Sequence, residues 1–140
     1  MNFWDSSAIV PLCNEEPASA VLISLLQTSS RMAVWWATSV EATSAIERKF
    51  RFGECTAQDK LTASLKLQQL AEFWIEVEPA ENIRRRARFL LAAHPLRAAD
   101  AMQLAAAIEW RGRESQATTF VCLDQRLREA AAKEGFKIEP

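Results

Sequence analysis

The chain has 140 residues, of which 49% are hydrophobic and 25% charged, with a formal net charge of -1 at pH 7. These values suit one globular domain with one core and exclude a strongly basic nucleic-acid coat, although a local basic patch depends on charge placement rather than on the sum. No apolar run approaches the ~20 residues needed to span a bilayer, and Asp5 interrupts the N-terminal apolar stretch, so neither a membrane span nor a signal segment is expected and the expected location is cytoplasmic.

Met1–Trp4 reads as a buried strand that runs into Asp5 and then a turn into a helix. After the break at Asn14-Glu15-Glu16-Pro17, Ala18, Val21, Leu22, Leu25 and Leu26 recur at helical spacing up to Thr28-Ser29-Ser30. Met32–Trp36 is a second buried strand. Thr38-Ser39-Val40-Glu41 has the form of a capping box and opens a helix that stops at Gly53. That helix turns Ala42, Ala45, Ile46 and Phe50 inward. A second helix, about Ala57 to Phe73, completes a helical hairpin, with Leu61, Leu65, Leu67 and Leu70 apolar and assigned to core or interface.

Trp74–Val77 is a brief third strand, and Pro79 starts a helix that runs to about Ala93. His94-Pro95 is a turn, with Pro95 at the start of an alanine-rich helix that continues to about Trp110, followed by a polar loop from Arg111 to Gln116. Thr118–Leu123 is a fourth strand, again followed by an acid, Asp124. Gln125–Lys133 is a helix stopped by Gly135, and Phe136-Lys137-Ile138 a possible short edge strand. Helices alternate with unbroken apolar strands, and no hairpin turn joins two strands. The pattern predicts an α/β fold: a mainly parallel sheet of four to five strands with helices on both faces, in a single domain over 1–140. Three cysteines, Cys13, Cys55 and Cys122, lack CxxC spacing and read as buried free thiols rather than disulfides or a zinc site.

Four acids stand where such a sheet would gather them. Asp5 and Asp124 follow strands, and the functional crevice of an open parallel sheet lies beyond the carboxyl ends of its strands. Glu41 falls in the first turn of a helix that follows a strand. Asp100 lies early in the segment Leu96–Ala107, LRAADAMQLAAA. Like charges at close range do not all stay ionised without a counter-charge. Carboxylates with no local His or Cys partner suit Mg²⁺ or Mn²⁺ rather than zinc. Such an ion activates a water and offsets charge on a phosphodiester under in-line attack. The expected chemistry is metal-assisted phosphodiester hydrolysis without a covalent intermediate.

Each acid but one also has a plainer duty. Asp5 and Asp124 are suited to cap the helices that follow them, and Glu41 to close its capping box. Asp100, inside an alanine-rich helix, has no local structural duty in this reading. His94 is the only histidine and reads as structural or exposed, which argues against acid–base catalysis by paired histidines. The group Arg84, Arg85, Arg86, Arg88 and the group Arg48, Lys49, Arg51 read as solvated helix faces. Arg97, beside Asp100 in sequence, is the better candidate for a substrate phosphate or an ion pair. Trp4, Trp35 and Trp36 are assigned to the core, and Trp110 to a partly exposed helix end. A phosphatase with a D-x-D motif is disfavoured, because Ser7 stands where the second acid would be.

Asp5-Ser6-Ser7-Ala8, Glu41 behind Thr38-Ser39, the run from His94 to Leu104 containing Leu96-Arg97-Ala98-Ala99-Asp100, and Leu123-Asp124-Gln125-Arg126-Leu127 together resemble a PIN domain of the VapC-type toxins of toxin–antitoxin pairs. The resemblance covers nearly the whole chain, and its most specific piece is the segment around Asp100. It implies a three-layer PIN-like fold and an Mg²⁺- or Mn²⁺-dependent endoribonuclease acting on structured RNA such as transfer or ribosomal RNA. A cognate antitoxin that blocks the site and a homodimer are implied as well. Asp5, Glu41, Asp100 and Asp124 match the metal-binding acids of that family, and Ser7 a supporting hydroxyl. The chain departs from the family pattern before the fourth acid, where Val121-Cys122-Leu123 stands in place of a nearby Thr or Ser. The alternative is a PIN-fold protein-binding module without activity, although such a module usually lacks one or more of the acids.

Overall fold

The computed structural model describes residues 1–29, 31–113 and 119–140. Among these residues five short strands, β1 (Asn2–Trp4), β2 (Met32–Trp35), β3 (Ile75–Val77), β4 (Thr119–Val121) and β5 (Lys137–Glu139), form one sheet in the order β3-β2-β1-β4-β5. All four pairings are parallel. Among the described residues seven helices connect them: α1 (Ser6–Cys13), α2 (Ser19–Thr28), α3 (Thr38–Arg51), α4 (Ala57–Ala71), α5 (Glu81–Ala93), α6 (Ala98–Arg113) and α7 (Gln125–Lys133).

Successive strand side chains point to opposite faces, and here both faces are apolar. Phe3, Ala33, Trp35 and Phe120 enter one core with residues of α5, α6 and α7. Trp4, Met32, Val34 and Val121 enter the other with α1 to α4. The chain winds outward from β1 through β2 to β3, then crosses back to β4 and on to β5. Crossovers of constant hand then put the first four helices on one face and the last three on the other. The direction of winding reverses between β1 and β4, which is where an open parallel sheet opens a crevice.

Helix α6 is the innermost. Ala101, Ala105, Ala106 and Ala107 are wholly buried, as are Leu104 and Gln103. It packs against β2, α5 and α7. Gly53 and Gly135 both adopt positive φ, where a side chain would be strained, and each closes the helix before it.

Several expectations from the sequence are corrected. Helix α6 starts at Ala98 rather than Pro95 and runs on to Arg113 through the predicted polar loop, whose remainder (114–116) lies outside the described residues together with Ser30 and Thr118. Trp36 is 50% exposed rather than core, because β2 ends at Trp35 and the next residue emerges in the turn before α3. Trp110, expected to be partly exposed, is buried against Phe3. On α4 the core side is Ala63 and Leu67, which leaves Leu61 and Leu65 outward, and on α3 Phe50 is also exposed. Cys13 and Cys122 are buried free thiols, but Cys55 is only partly covered. Among the described residues, no helix is long and apolar enough to cross a membrane.

A larger side chain on the inner face of α6 has nowhere to go. Ala105→Leu is expected to cost about 1–3 kcal/mol through overpacking, read as a lower urea midpoint with an unchanged m-value. A variant as stable as its parent would show that α6 is not held as closely as its burial indicates.

Candidate active site

Asp5 follows β1 and Asp124 lies three residues beyond β4, so the two neighbouring strands at the winding reversal each deliver an acid to the same rim. Glu41 comes from the first turn of α3 and Asp100 from the first turn of α6. All four line one cleft of about 470 Å³. Four separate elements thus bring together the four acids singled out in the sequence. Among the described residues, no three His, Cys, Asp or Glu side chains are grouped closely enough to enclose an ion as they stand.

Asp5 is 4% exposed and caps α1: its Oδ2 accepts the Ser7 amide at 3.0 Å and the Ser7 hydroxyl at 2.5 Å. The Ser7 hydroxyl oxygen in turn accepts the Leu123 amide at 2.9 Å. One hydroxyl therefore hooks the end of β4 to the carboxylate at the end of β1. The Cys122 thiol contacts the same Asp5 oxygen at 3.6 Å. The sequence expectation of acids without a cysteine neighbour is corrected at this point. Burial and the negative charge of Asp5 push the Cys122 thiol far up, so it stays protonated, a weak donor rather than a thiolate ligand.

Glu41 is held differently from the expectation. Thr38 is inside the helix rather than its cap, the capping position is Ala37, and no capping box forms there. Instead Glu41 accepts from the Ser6 hydroxyl at 3.1 Å and from the Gln103 amide at 3.3 Å. Gln103 also donates to the buried Thr38 hydroxyl at 3.3 Å, while its own carbonyl oxygen is buried without a partner. A capping box does form from Thr56 with Asp59, at the start of α4. Asp100, expected to have no structural duty, has one: its Oδ2 accepts the Arg97 amide at 3.3 Å, tying the first turn of α6. Asp124 caps α7 by accepting the Leu127 amide. The Arg97 side chain is exposed and is not part of the cleft wall.

The electrostatics of the cleft are those of crowded, partly desolvated acids. Burial pushes the Asp5 carboxyl up, and Asp100 adds to the rise against the hydrogen bonds from Ser7 and Cys122. Glu41 is raised by burial and then by Asp5 and Asp100, against Gln103 and Ser6. Asp100 is raised by burial and by Asp124, against the Arg97 amide and the charges of Arg97 and Arg126. Gln103 and Ser6 were not singled out as site residues. Their signal was present only in spacing: Ser6 adjoins Asp5, and Gln103 lies three residues after Asp100 on α6. His94 is buried in a contact with Glu134 at 2.7 Å, away from the acids, in agreement with a structural role.

The chain matches the PIN domain over residues 3–133 and belongs to that family. No curated protein matches it. Among solved structures it is similar to PAE2754 from Pyrobaculum aerophilum, with 22% identity and a TM-score of 0.62 over 92% of this chain and 78% of that one. It is also similar to VapC20 of Mycobacterium tuberculosis, described as a sarcin-ricin loop cleaving toxin, with 14% identity and a TM-score of 0.70 over 98% and 97% of the two chains. A third likeness is to VapBC2 from Rickettsia felis, solved bound to a fragment of promoter DNA, at 13% identity and a TM-score of 0.65 over 99% and 96%. At these identities the likeness establishes a shared fold.

Two outcomes test the geometry. The folded chain holds the protons of Asp5, Glu41 and Asp100 more tightly than the unfolded chain does. Their stabilising contribution is therefore full at acid pH and lost as pH rises from the ordinary values of 3.8 for Asp and 4.5 for Glu through the raised ones. In EDTA, Asp5→Asn, which keeps the cap, should melt above its parent at pH 7, with the gap shrinking toward pH 4. A gap that shrinks as pH rises would contradict the burial of an unbalanced acid. In Gln103→Leu, Glu41 loses a donor that favours its ionised form, so its side-chain carboxyl ¹³C signal should titrate at higher pH than in the parent; an unmoved midpoint would mean the bond is not made.

Proposed function

We propose that the chain is a metal-dependent endoribonuclease toxin that hydrolyses RNA phosphodiester bonds and is neutralised by a cognate antitoxin. The observation that carries this reading is the convergence of Asp5, Glu41, Asp100 and Asp124 on one cleft at the carboxyl edge of the sheet. The donors fit a hard divalent cation. They are carboxylate oxygens, the nearby sulfur stays protonated, and three of the acids are raised by burial and by their neighbours, a strain that a cation relieves. Asp5, Glu41 and Asp100 would hold Mg²⁺ or Mn²⁺, with Asp124 contributing from the rim, directly or through water. When bound, such an ion lowers the pKa of a water and offsets the charge that grows on the phosphodiester.

The chain's own contribution is placement. Ser7 fixes one Asp5 oxygen and leaves the other for a ligand. Ser6 and Gln103 grip Glu41 from two sides, so its carboxylate does not swing away when the charge around it changes. No histidine lies in the cleft, so the groups there that can take a proton are its carboxylates, three of them raised by burial. Structured RNA such as transfer or ribosomal RNA is the substrate class in this reading, and the cytoplasm its setting.

The partners follow from the same reading. A groove of about 540 Å³ adjoins the cleft, with Pro17, Ala18, Phe52 and Leu123 in its wall, and offers an apolar seat beside the acids. We assign it to a helix of the antitoxin, a recurring recognition mode. A homodimer is proposed as the assembled state.

A second reading, a PIN-fold protein-binding module without activity, is favoured by the absence among the described residues of three acids close enough to enclose an ion as they stand. Purified chain with structured RNA and Mn²⁺ separates the two. The toxin reading expects cleavage that EDTA abolishes and that Asp100→Asn slows by about 100-fold or more, since even outer-shell partners of metal ligands are worth ~10–100-fold. Calorimetry that finds no Mn²⁺ binding, together with no cleavage, would overturn it in favour of the module.

A further inference from the structure

A cleft walled by four acids repels the polyanion it is proposed to cut, so something in its wall must draw the strand in. Among the described residues lining the cleft there is one cation, Arg48. It lies seven residues after Glu41 on α3, two helical turns on, so both side chains share one face. Its neighbours are already engaged: Lys49 pairs with Glu16, and Glu47 with Lys60. Arg48 is exposed, and no ion pair or side-chain hydrogen bond holds it among the described residues. Arg48 also lines the adjoining groove, which shares Ser7, Val10 and Ala45 with the acid cleft. It therefore stands at the junction of the two.

We propose that Arg48 is the phosphate anchor that seats the RNA strand across the cleft, taking a phosphate that flanks the scissile one. This rests on the ribonuclease reading above. Seven residues of α-helix rise about 10 Å, which sets Arg48 apart from the acids along α3 and suits a flanking phosphate rather than the bond under attack. A guanidinium presents two parallel N–H groups to a phosphate and stays charged at any working pH. Arg97, favoured by its place in the sequence, is displaced from this role. Its backbone amide serves Asp100, and its side chain lies off the cleft wall.

The test uses the full chain and a fluorescent RNA hairpin that the parent cleaves. In an Asp100→Asn background, which blocks turnover, log Kd is followed against log salt for the added changes Arg48→Ala, Arg48→Lys and Arg97→Ala. Losing one phosphate contact should lower the slope by ~0.7–0.9 and weaken binding about 10-fold at low salt. Arg48→Ala is expected to do both, and Arg48→Lys to keep the slope while losing part of the affinity. In the parent background, Arg48→Ala should raise KM about 10-fold and leave kcat within about 2-fold. Circular dichroism and melting should be unchanged, because the side chain supports nothing in the fold. The proposal is overturned if Arg48→Ala leaves the slope and KM unmoved while the parent still cuts RNA, or if Arg97→Ala carries the loss instead. A parent that neither binds nor cuts RNA in Mn²⁺ overturns the ribonuclease reading and this proposal with it.

Discussion

An ionised carboxylate at the end of a fully covered strand is costly unless it is hydrogen-bonded and its charge is balanced, and Asp5 is in that position. Three donors converge on one of its oxygens: the amide and hydroxyl of Ser7 and the thiol of Cys122. They satisfy its hydrogen-bonding capacity on that side without supplying a charge. The carboxyl is accordingly raised rather than lowered. The rest of the cleft compounds the imbalance, since Glu41 and Asp100 are pushed in the same direction by burial and then by their acidic neighbours. Stability and the proposed function are opposed here: the fold would be better served by an amide at residue 5, and the acid is explicable by the cation it is proposed to hold.

The topology explains why these acids meet. With β1 central and β4 beside it, the two strands on either side of the winding reversal end at the same rim. The crossovers before and after the reversal cover opposite faces of the sheet, so α3 and α6 approach that rim from different sides. Gln103 bridges them, donating from α6 to Glu41 and Thr38 on α3. A buried amide with an unpartnered carbonyl oxygen is an expensive bridge. The alanines of α6 are what make it short enough to form. Bulkier residues at 101 or 105 would lift the helix off the sheet and carry both Asp100 and Gln103 with it.

The unbroken apolar strands, the helix stops at Gly53 and Gly135 and the positions of the four acids at strand ends and helix starts were legible in the sequence, because each rests on a local pattern. What was not legible depends on tertiary neighbours. Thr38-x-x-Glu41 has the form of a capping box, but its threonine is drawn inward to Gln103 and its glutamate to Ser6, so the local pattern loses to the packing of α1 and α6 around it. Thr56-x-x-Asp59, in an exposed turn with no such competitor, forms the box instead. The duties of Asp100 and Glu41 are thus interchanged relative to expectation. The exposures of Trp36 and Trp110 were misjudged for a related reason: where a strand or helix ends decides which of its last residues is covered, and ends are the least marked feature of a sequence.

Before Asp124 the sequence has Val121-Cys122-Leu123, with no hydroxyl of the kind the resemblance led us to expect in support of the fourth acid. A thiol contact at 3.6 Å is a weak substitute for such a donor. Its weakness is of little consequence, because the anchoring of this rim does not pass through it. The Leu123 amide donates to the Ser7 hydroxyl, which donates to Asp5, and the two bonds polarise each other in the same direction. Asp124 is separately fixed by the Leu127 amide as the cap of α7. The link between the ends of β4 and β1 runs through residue 7. What the protonated sulfur adds is bulk and low polarity behind Asp5.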